Sequence, residues 1–123
     1  MYDAEDLRIE VYRVLALAGL PLSDLPDSPV SRSGEAGGVD VVGSRQPGAV
    51  IVGWACSNKL NELAGAALDS PARADDPAVL AQGAIEAAMG EAVAGILRHY
   101  GFTVSPRTEV PGSHQFIVRK GPA

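Results

Sequence analysis

The longest hydrophobic segment of the chain covers residues 77–100, where most positions are apolar and many are alanine or glycine. Asp76 followed by Pro77 is typical of a helix N-terminus, and Gly101 fits the left-handed position that ends a helix. The polar interruptions of the segment are Gln82, Glu86, Glu91 and Arg98. They leave no uninterrupted apolar run of the roughly 20 residues that cross a bilayer, so we predict a central helix and not a membrane span. A helix this apolar must be covered on nearly every side, by its own domain or by a second subunit.

Two further helices are predicted from the three- and four-residue spacing of apolar residues. The first has Asp3 as its N-cap and ends at Gly19. The second begins at Ser57 or Asn58 and extends to about residue 68. Its inward-facing residues are predicted to be Leu60, Leu63, Ala64 and Ala67. The large side chains that should form one stripe of the long helix are Ile85, Met89, Val93, Ile96 and Tyr100.

Four short apolar segments have the pattern of β-strands: residues 39–42, 49–55, 102–105 and 115–119. The second is apolar on both faces, which is typical of a strand in the middle of a sheet. Pro106 indicates that the third strand is short or lies at an edge. Residues 23–38 are rich in Ser, Pro, Asp and Gly, which predicts a mobile loop. We therefore predict one α+β domain over residues 1–123, with an antiparallel or mixed sheet of four to five strands packed against the long central helix and one or two further helices.

The two halves of the sequence resemble each other weakly. In each half a helix ends at glycine, an extended segment follows, and a Pro-Gly pair at residues 47–48 or 111–112 precedes an apolar strand. The loop lengths differ greatly, and Pro-Gly pairs are expected by chance in a chain with nine Pro and fourteen Gly. We therefore prefer the interpretation without an internal duplication.

The composition is that of a globular protein, because 46% of the residues are hydrophobic and 20% are charged. A net charge of -5 argues against a general nucleic-acid-binding protein, since such proteins neutralise phosphates with Lys and Arg. Residues 98–123 are locally basic, with four basic side chains and one acidic side chain. A single cysteine and the absence of an apolar leader predict a cytoplasmic protein. The preference for Arg over Lys, with frequent Ala, Gly and Pro, indicates a GC-rich, bacterial genome.

Metal and phosphate chemistry have no candidate motif in the sequence. Metal sites need clustered Cys and His, whereas the chain has one Cys and two His, at positions 56, 99 and 114. No glycine spacing matches a phosphate- or dinucleotide-binding loop. Glu86 and Glu91 are five residues apart on the predicted helix, so they should lie on different sides, at its solvated edge. We therefore expect no metal and no cofactor.

The junction between the second strand and the next helix contains the main candidates for a binding site. Cys56 lies at a helix N-terminus, where the helix dipole favours a thiolate that His99 or His114 could activate. Burial of Cys56 as a small hydrophobic residue is the preferred interpretation. Trp54, the only tryptophan, fits either a pocket wall or the core, and core packing is preferred. Asn58 completes this candidate set.

Basic residues also cluster in the predicted C-terminal hairpin: Arg107, His114, Arg119 and Lys120. One face of this hairpin could bind an acidic partner or a phosphate. A solvated strand face is the simpler interpretation.

Small residues recur along the long helix at a spacing that brings them together: Gly83, Ala87, Gly90 and Ala94. Such a seam lets another backbone approach closely, and each mid-helix glycine costs about 0.5–1 kcal/mol relative to alanine. Packing on the protein's own sheet would compensate for that cost, and so would pairing with the same helix of a second subunit. We favour the homodimer.

The sequence identifies no reaction. The leading prediction is a non-catalytic protein–protein interaction module, an adaptor, regulator or chaperone-like protein that dimerises and binds another protein, without a membrane. The alternative is a small enzyme or small-molecule-binding protein with a pocket between Trp54 and Lys59. A weaker alternative is nucleic-acid contact through the basic C-terminal hairpin.

Overall fold

A computed structural model describes residues 4–22, 37–67, 76–110 and 112–121. Within these ranges the chain forms three helices and four strands: α1 (Ala4–Leu17), β1 (Gly38–Gly43), β2 (Ala49–Ala55), α2 (Asn58–Ala67), α3 (Pro77–His99), β3 (Thr103–Pro106) and β4 (Phe116–Arg119). The predicted N-cap Asp3 and most of the predicted loop, residues 23–36, lie outside the described residues, as does residue 68.

The four strands form one sheet in the order β1-β2-β4-β3, and every neighbouring pair is antiparallel. The predicted α+β class is confirmed. Of the predicted alternatives, the sheet is antiparallel and not mixed, and it has four strands. β2 is a central strand, as predicted, because it pairs with β1 on one side and β4 on the other. β3 lies at an edge and ends at Pro106, whose missing N–H is tolerated there.

α1 precedes the β1–β2 hairpin and α3 precedes the β3–β4 hairpin, while α2 lies between these two helix–hairpin units in the chain. The two hairpins meet in the middle of the sheet, where β2 pairs with β4. The helices that precede the two hairpins are terminated alike, because each is followed by a glycine with a left-handed backbone: Gly19 with φ 86° after α1 and Gly101 with φ 90° after α3. The hairpin loops contain Gly48 with φ 69° and Gly112 with φ 77°. The weak similarity between the halves of the sequence therefore corresponds to two similar structural units.

The hydrophobic core lies between one face of the sheet and the helices α1 and α3. Directly opposed residues of antiparallel strands share a face, so the pairs Val41↔Val52 and Val52↔Phe116 place three core side chains together. The largest fully buried core side chains are Leu7, Val11, Tyr12, Leu15, Leu22, Val39, Val41, Val50, Val52, Val93, Leu97 and Val118. The Tyr12 hydroxyl accepts a hydrogen bond of 3.3 Å from the Val41 N–H, which satisfies a buried polar group beneath α1.

α3 is covered on one side only, so the expectation that it is covered on nearly every side is wrong for the single chain. Its buried residues are Gly90, Val93, Ala94 and Leu97. Val93 faces the core as predicted, but Ile85 is 39% exposed and Tyr100 is 51% exposed. The small residues Gly90 and Ala94 let the helix approach the sheet closely, and this selects the side that is buried.

α2 shows the same effect on a smaller scale. Ala64 and Ala67 are buried, whereas Leu63, predicted to face inward, is 50% exposed. Ser57 caps this helix, because its Oγ accepts a 3.3 Å hydrogen bond from the Leu60 N–H. The large side chain of Leu63 is thus left at the surface beside α3, against which α2 packs.

By length and composition, α3 is the one helix among the described residues that is able to cross a membrane. The most apolar 18-residue window has a mean hydropathy of 1.2, and 17% of it is buried. The core helix of a water-soluble protein passes the same test, so this finding is weak evidence on its own. The same numbers show that much of the apolar surface of α3 is not fully buried in the single chain.

Candidate functional site

A cleft of about 250 Å³ lies where β2 ends, between α3 and the loop that joins β3 to β4. Its described lining consists of Trp54, Glu86, Val110, Gly112, Ser113, His114 and Gln115. Trp54 lies two residues after Val52 along β2, so its side chain is on the sheet face that carries α3. The ring is half-buried and packs against the hydrophobic core at the same time as it lines the cleft.

The β3–β4 loop is packed tightly against α3 at Gly90. A β-carbon at this position would lie 2.9 Å from the His114 carbonyl oxygen and 3.3 Å from Cε2 of Phe116. The loop is also tied to the end of β3, because the Arg107 N–H donates to the Gln115 carbonyl oxygen at 3.0 Å. The wall of the cleft opposite α3 is therefore held in place by backbone contacts.

Glu86 is the acidic residue among the described lining of this cleft. The residue as a whole is half-buried, and its carboxylate forms no hydrogen bond or ion pair with any residue in the described ranges. Glu91, one turn further along α3, is exposed and lines a neighbouring cleft of about 150 Å³ that shares Ser113, His114 and Gln115 with the first. The prediction of a solvated position is right for Glu91, whereas Glu86 is partly withdrawn from solvent.

Next to the cleft, three hydrogen bonds join α2, α3 and the end of β2. Asn61 Nδ2 donates to the Cys56 carbonyl oxygen at 3.1 Å, and Gln82 Nε2 donates to Asn61 Oδ1 at 2.8 Å. The Cys56 thiol donates to the Gln82 carbonyl oxygen at 3.8 Å. Asn58, the asparagine predicted to bind at this junction, is exposed at the first position of α2, and its binding role stays a prediction.

Cys56 is buried, and its environment does not activate it as a nucleophile. Burial raises the pKa of the Cys56 thiol, and the nearby Glu86 carboxylate raises it further. Because the thiolate is the reactive form, both effects suppress reactivity at neutral pH. His99 lies at the far end of α3 from Gln82, roughly 25 Å away at 1.5 Å per residue, and therefore cannot pair with this thiol.

The basic residues of the C-terminal hairpin are not gathered on one face. His114 lines the clefts beside α3. Arg107 lines a groove of about 680 Å³ on the side of Ile51, a residue that alternates with the core-facing Val50 and Val52. Arg119 pairs with Ala49 in the register, so it too points to that second face. The sheet therefore separates His114 from Arg107 and Arg119.

The arginines on the second face already have partners. Arg107 donates from Nε to the Glu109 carboxylate at 2.8 Å and from Nη1 to Gln115 Oε1 at 2.6 Å. Arg119 donates to the side-chain oxygen of Gln46. The strand residues that share this face include no aromatic side chain in the described ranges. Stacking platforms for bases are thus missing there, which weakens the nucleic-acid alternative.

The second notable surface is the exposed apolar side of α3. We call it the α3 outer face and define it by its exposed apolar residues: Leu80, Ala84, Ile85, Ala88, Ala92 and Gly95. These residues recur at three- and four-residue spacing and form a stripe along one side of the helix, which also carries the exposed Glu91. Leu80 is 58% exposed, which is unusual for so large an apolar residue within an apolar stripe.

The predicted small-residue seam does not coincide with the α3 outer face. Gly90 and Ala94 are buried within the single chain, which fits the alternative that the small residues allow close packing on the protein's own sheet. Gly83 and Ala87 are half-buried at the border between the two sides of α3. Packing within one chain therefore accounts for the inner half of the seam.

Several residues of the cleft and the junction were not identified from the sequence: Asn61, Gln82, Glu86 and Gln115. One available signal was the spacing of Gln82 and Glu86, which are four residues apart and so lie on the same side of an otherwise apolar helix. The sequence could not show which side of α3 the sheet would bury, and that choice places Glu86 beside Trp54.

No group of three or more His, Cys, Asp or Glu side chains within the described ranges is arranged to hold a metal ion. No protein-family model, characterised protein or solved structure matches the chain. Its function is therefore argued from the geometry of these surfaces.

Proposed function

We propose that the protein is a non-catalytic interaction module that forms a homodimer through the α3 outer face. The observation that carries this proposal is the exposed apolar stripe on a 23-residue helix, which extends from Leu80 to Gly95. Contiguous exposed apolar surface of this kind marks an interaction site more often than a free surface. The role of an adaptor or regulator follows if the dimer presents the remaining surfaces to another protein.

The composition of the α3 outer face favours another helix as its partner. Four of its six residues are alanine or glycine, so a second backbone can approach closely along the stripe. A two-fold axis needs only one self-complementary surface, and α3 supplies it. If the two helices cross antiparallel, the Asp76 end of one lies near the Arg98 and His99 end of the other, where opposite charges and helix dipoles attract.

A lipid surface is a poorer partner for the same face. Helices that lie on membranes carry Lys and Arg along their polar side, and anionic lipids attract positive charge. α3 has Glu86 and Glu91 within its length and a single arginine, Arg98, at its end. The chain as a whole has a net charge of -5, which opposes binding to an anionic surface.

Sedimentation equilibrium of the wild-type chain and two variants tests this proposal. The wild-type chain should sediment with a mass near twice 12.7 kDa at micromolar concentration. Ala88→Arg places a long charged side chain in the middle of the α3 outer face without burying it in the monomer, so the mass should fall to that of one chain. Ser105→Arg adds the same charge at an exposed position on the opposite side of the sheet, and its dimer should persist.

Two results would contradict the proposal. The wild-type chain could sediment as a monomer up to high micromolar concentration, or both arginine variants could dissociate to the same extent. Flotation of the wild-type chain with anionic phosphatidylserine vesicles, lost in Ala88→Arg, would assign the same face to a membrane and would also overturn the homodimer.

A further inference from the structure

We propose that the cleft between Trp54 and Glu86 binds an organic cation, an alkylammonium or guanidinium group carried by a small molecule or by a Lys or Arg side chain. This site is separate from the α3 outer face, because its described lining shares no residue with that face. It would give the module a second, chemically selective contact.

The pairing of an aromatic wall with a carboxylate is the first argument for a cation. Trp54 and Glu86 line the same cleft from two different elements, β2 and α3. Tryptophan is the aromatic side chain that attracts cations most strongly through the face of its ring. A carboxylate in the same cleft adds a charge-assisted hydrogen bond from an N–H group of the ligand.

The second argument is that Glu86 lacks a partner within the described ranges although it is half-buried. A carboxylate that no protein donor engages is available to accept a charge-assisted hydrogen bond from a ligand N–H group. Arg107 of the hairpin is held by Glu109 and Gln115 and does not line this cleft. A ligand cation would supply the missing partner.

The negative potential extends beyond Glu86 itself. The Glu86 carboxylate raises the pKa of the neighbouring Cys56 thiol, so its charge is felt across the β2–α2 junction. Glu91 lines the adjoining cleft, which shares Ser113, His114 and Gln115 with the first. The described linings of both clefts contain no Lys or Arg. These linings favour a cation over an anion.

The cleft has a volume of about 250 Å³, which accommodates a small cation. An ammonium or guanidinium group on a chain of about four carbons is therefore a suitable probe, and this is also the length of a lysine side chain.

A fluorescence titration tests the proposal directly, because Trp54 is the only tryptophan in the chain. The probes are n-butylammonium and n-butylguanidinium chloride, with n-butanol as the uncharged control of equal chain length and constant ionic strength maintained with potassium chloride. Both cations should change the Trp54 emission in a saturable manner. Butanol should produce no saturable change over the same concentration range.

Two glutamate variants localise the effect. Glu86→Gln keeps the size of the side chain and removes its charge, so the affinity for both cations should fall about tenfold or more. Glu62→Gln removes an exposed carboxylate from α2, which does not line the cleft, and should leave the affinity unchanged. Circular dichroism and the unliganded emission spectrum verify that both variants are folded.

The source of the cation is resolved by a third probe, the tripeptide Gly-Lys-Gly with both ends blocked. Binding of the tripeptide with an affinity similar to that of butylammonium assigns the cleft to protein side chains, and binding of butylammonium alone assigns it to small amines. Equal responses to butanol and butylammonium would overturn the proposal. So would equal affinities of wild-type and Glu86→Gln chains for the cations.

Discussion

At the scale of single residues, Gly90 determines how closely α3 approaches the β3–β4 loop. The space beside its α-carbon is filled by the His114 carbonyl oxygen and the Phe116 ring, whereas a β-carbon at Gly83 would meet no atom within 4 Å. Both glycines lie inside the same helix, with no left-handed backbone at either position. A substitution at Gly83 therefore reports on helix propensity alone, whereas one at Gly90 also reports on packing against the loop.

Alanine substitutions at these two glycines should have opposite effects on stability. Gly83→Ala should raise the free energy of unfolding by about 0.5–1 kcal/mol, because alanine has the higher helix propensity and fits the open space. Gly90→Ala should lower it by about 1–2 kcal/mol, because the new methyl group overpacks a backbone contact. Urea denaturation measures both values. A stabilising Gly90→Ala substitution would show that the loop does not contact the helix as described.

The reactivity of Cys56 provides a second test at this scale. Since burial and then Glu86 raise the pKa of this thiol, iodoacetamide should modify the folded protein at least about tenfold more slowly than the urea-unfolded chain at pH 8. The rate should increase with pH through a midpoint above the ordinary thiol range. In Glu86→Gln the midpoint should decrease but stay raised, because burial is the larger cause. Rapid modification with a midpoint below the ordinary range would revive the catalytic interpretation.

Residue patterns predicted part of the candidate site. Trp54 and His114 were both chosen from the sequence, and they line the same cleft. Glu86 was expected at a solvated edge, and its position beside Trp54 could not be predicted because it depends on which side of α3 is buried. That side carries Gly90 and Ala94, so tight packing was favoured over burial of the larger Ile85.

At the scale of elements, capping explains why α3 begins where it does. Asp76 has an extended backbone, and its carboxylate accepts a 2.8 Å hydrogen bond from the Ala78 N–H. Pro77 follows at a position where its missing N–H is not needed. The long helix therefore starts at a site defined by two adjacent residues.

Removal of this cap should destabilise the protein. Asp76→Ala should lower the free energy of unfolding by about 0.5–2 kcal/mol, because the Ala78 N–H loses its acceptor. Asp76→Asn retains a side-chain oxygen and should cost much less, which makes it the matched control. Thermal or urea denaturation of the two variants provides the comparison. Equal stability of Asp76→Ala and the wild-type chain would contradict the assigned cap.

Most element boundaries were predictable because local signals define them. β2 spans Ala49–Ala55 as predicted, and α3 ends one residue before the predicted limit. The sheet order could not be derived from local patterns, since it depends on pairings between residues far apart in sequence, such as Ile51↔Ile117. The similarity of the two helix–hairpin units was visible in the sequence but weak. The pairing of the two hairpins through β2 and β4 could not be predicted from it.

At the scale of the whole molecule, the unusual feature is an apolar helix that the single chain leaves partly uncovered. Only 17% of its most apolar window is fully buried in the single chain. A GC-rich genome would explain frequent alanine and glycine, but it would not explain exposed Leu80 and Ile85 on the same stripe. The proposed dimer would cover both. A cytoplasmic location remains a prediction from the sequence.

Contacts across the proposed dimer can be observed with mixed samples of isotope-labelled and unlabelled chains. Isotope-filtered nuclear Overhauser spectra should show intermolecular contacts at the methyl groups of Leu80, Ile85 and Ala88, because these lie on the α3 outer face. Core methyl groups such as those of Val50 and Val118 should show none. Intermolecular contacts confined to the sheet, or their absence at a mass of one chain, would contradict dimerisation through α3.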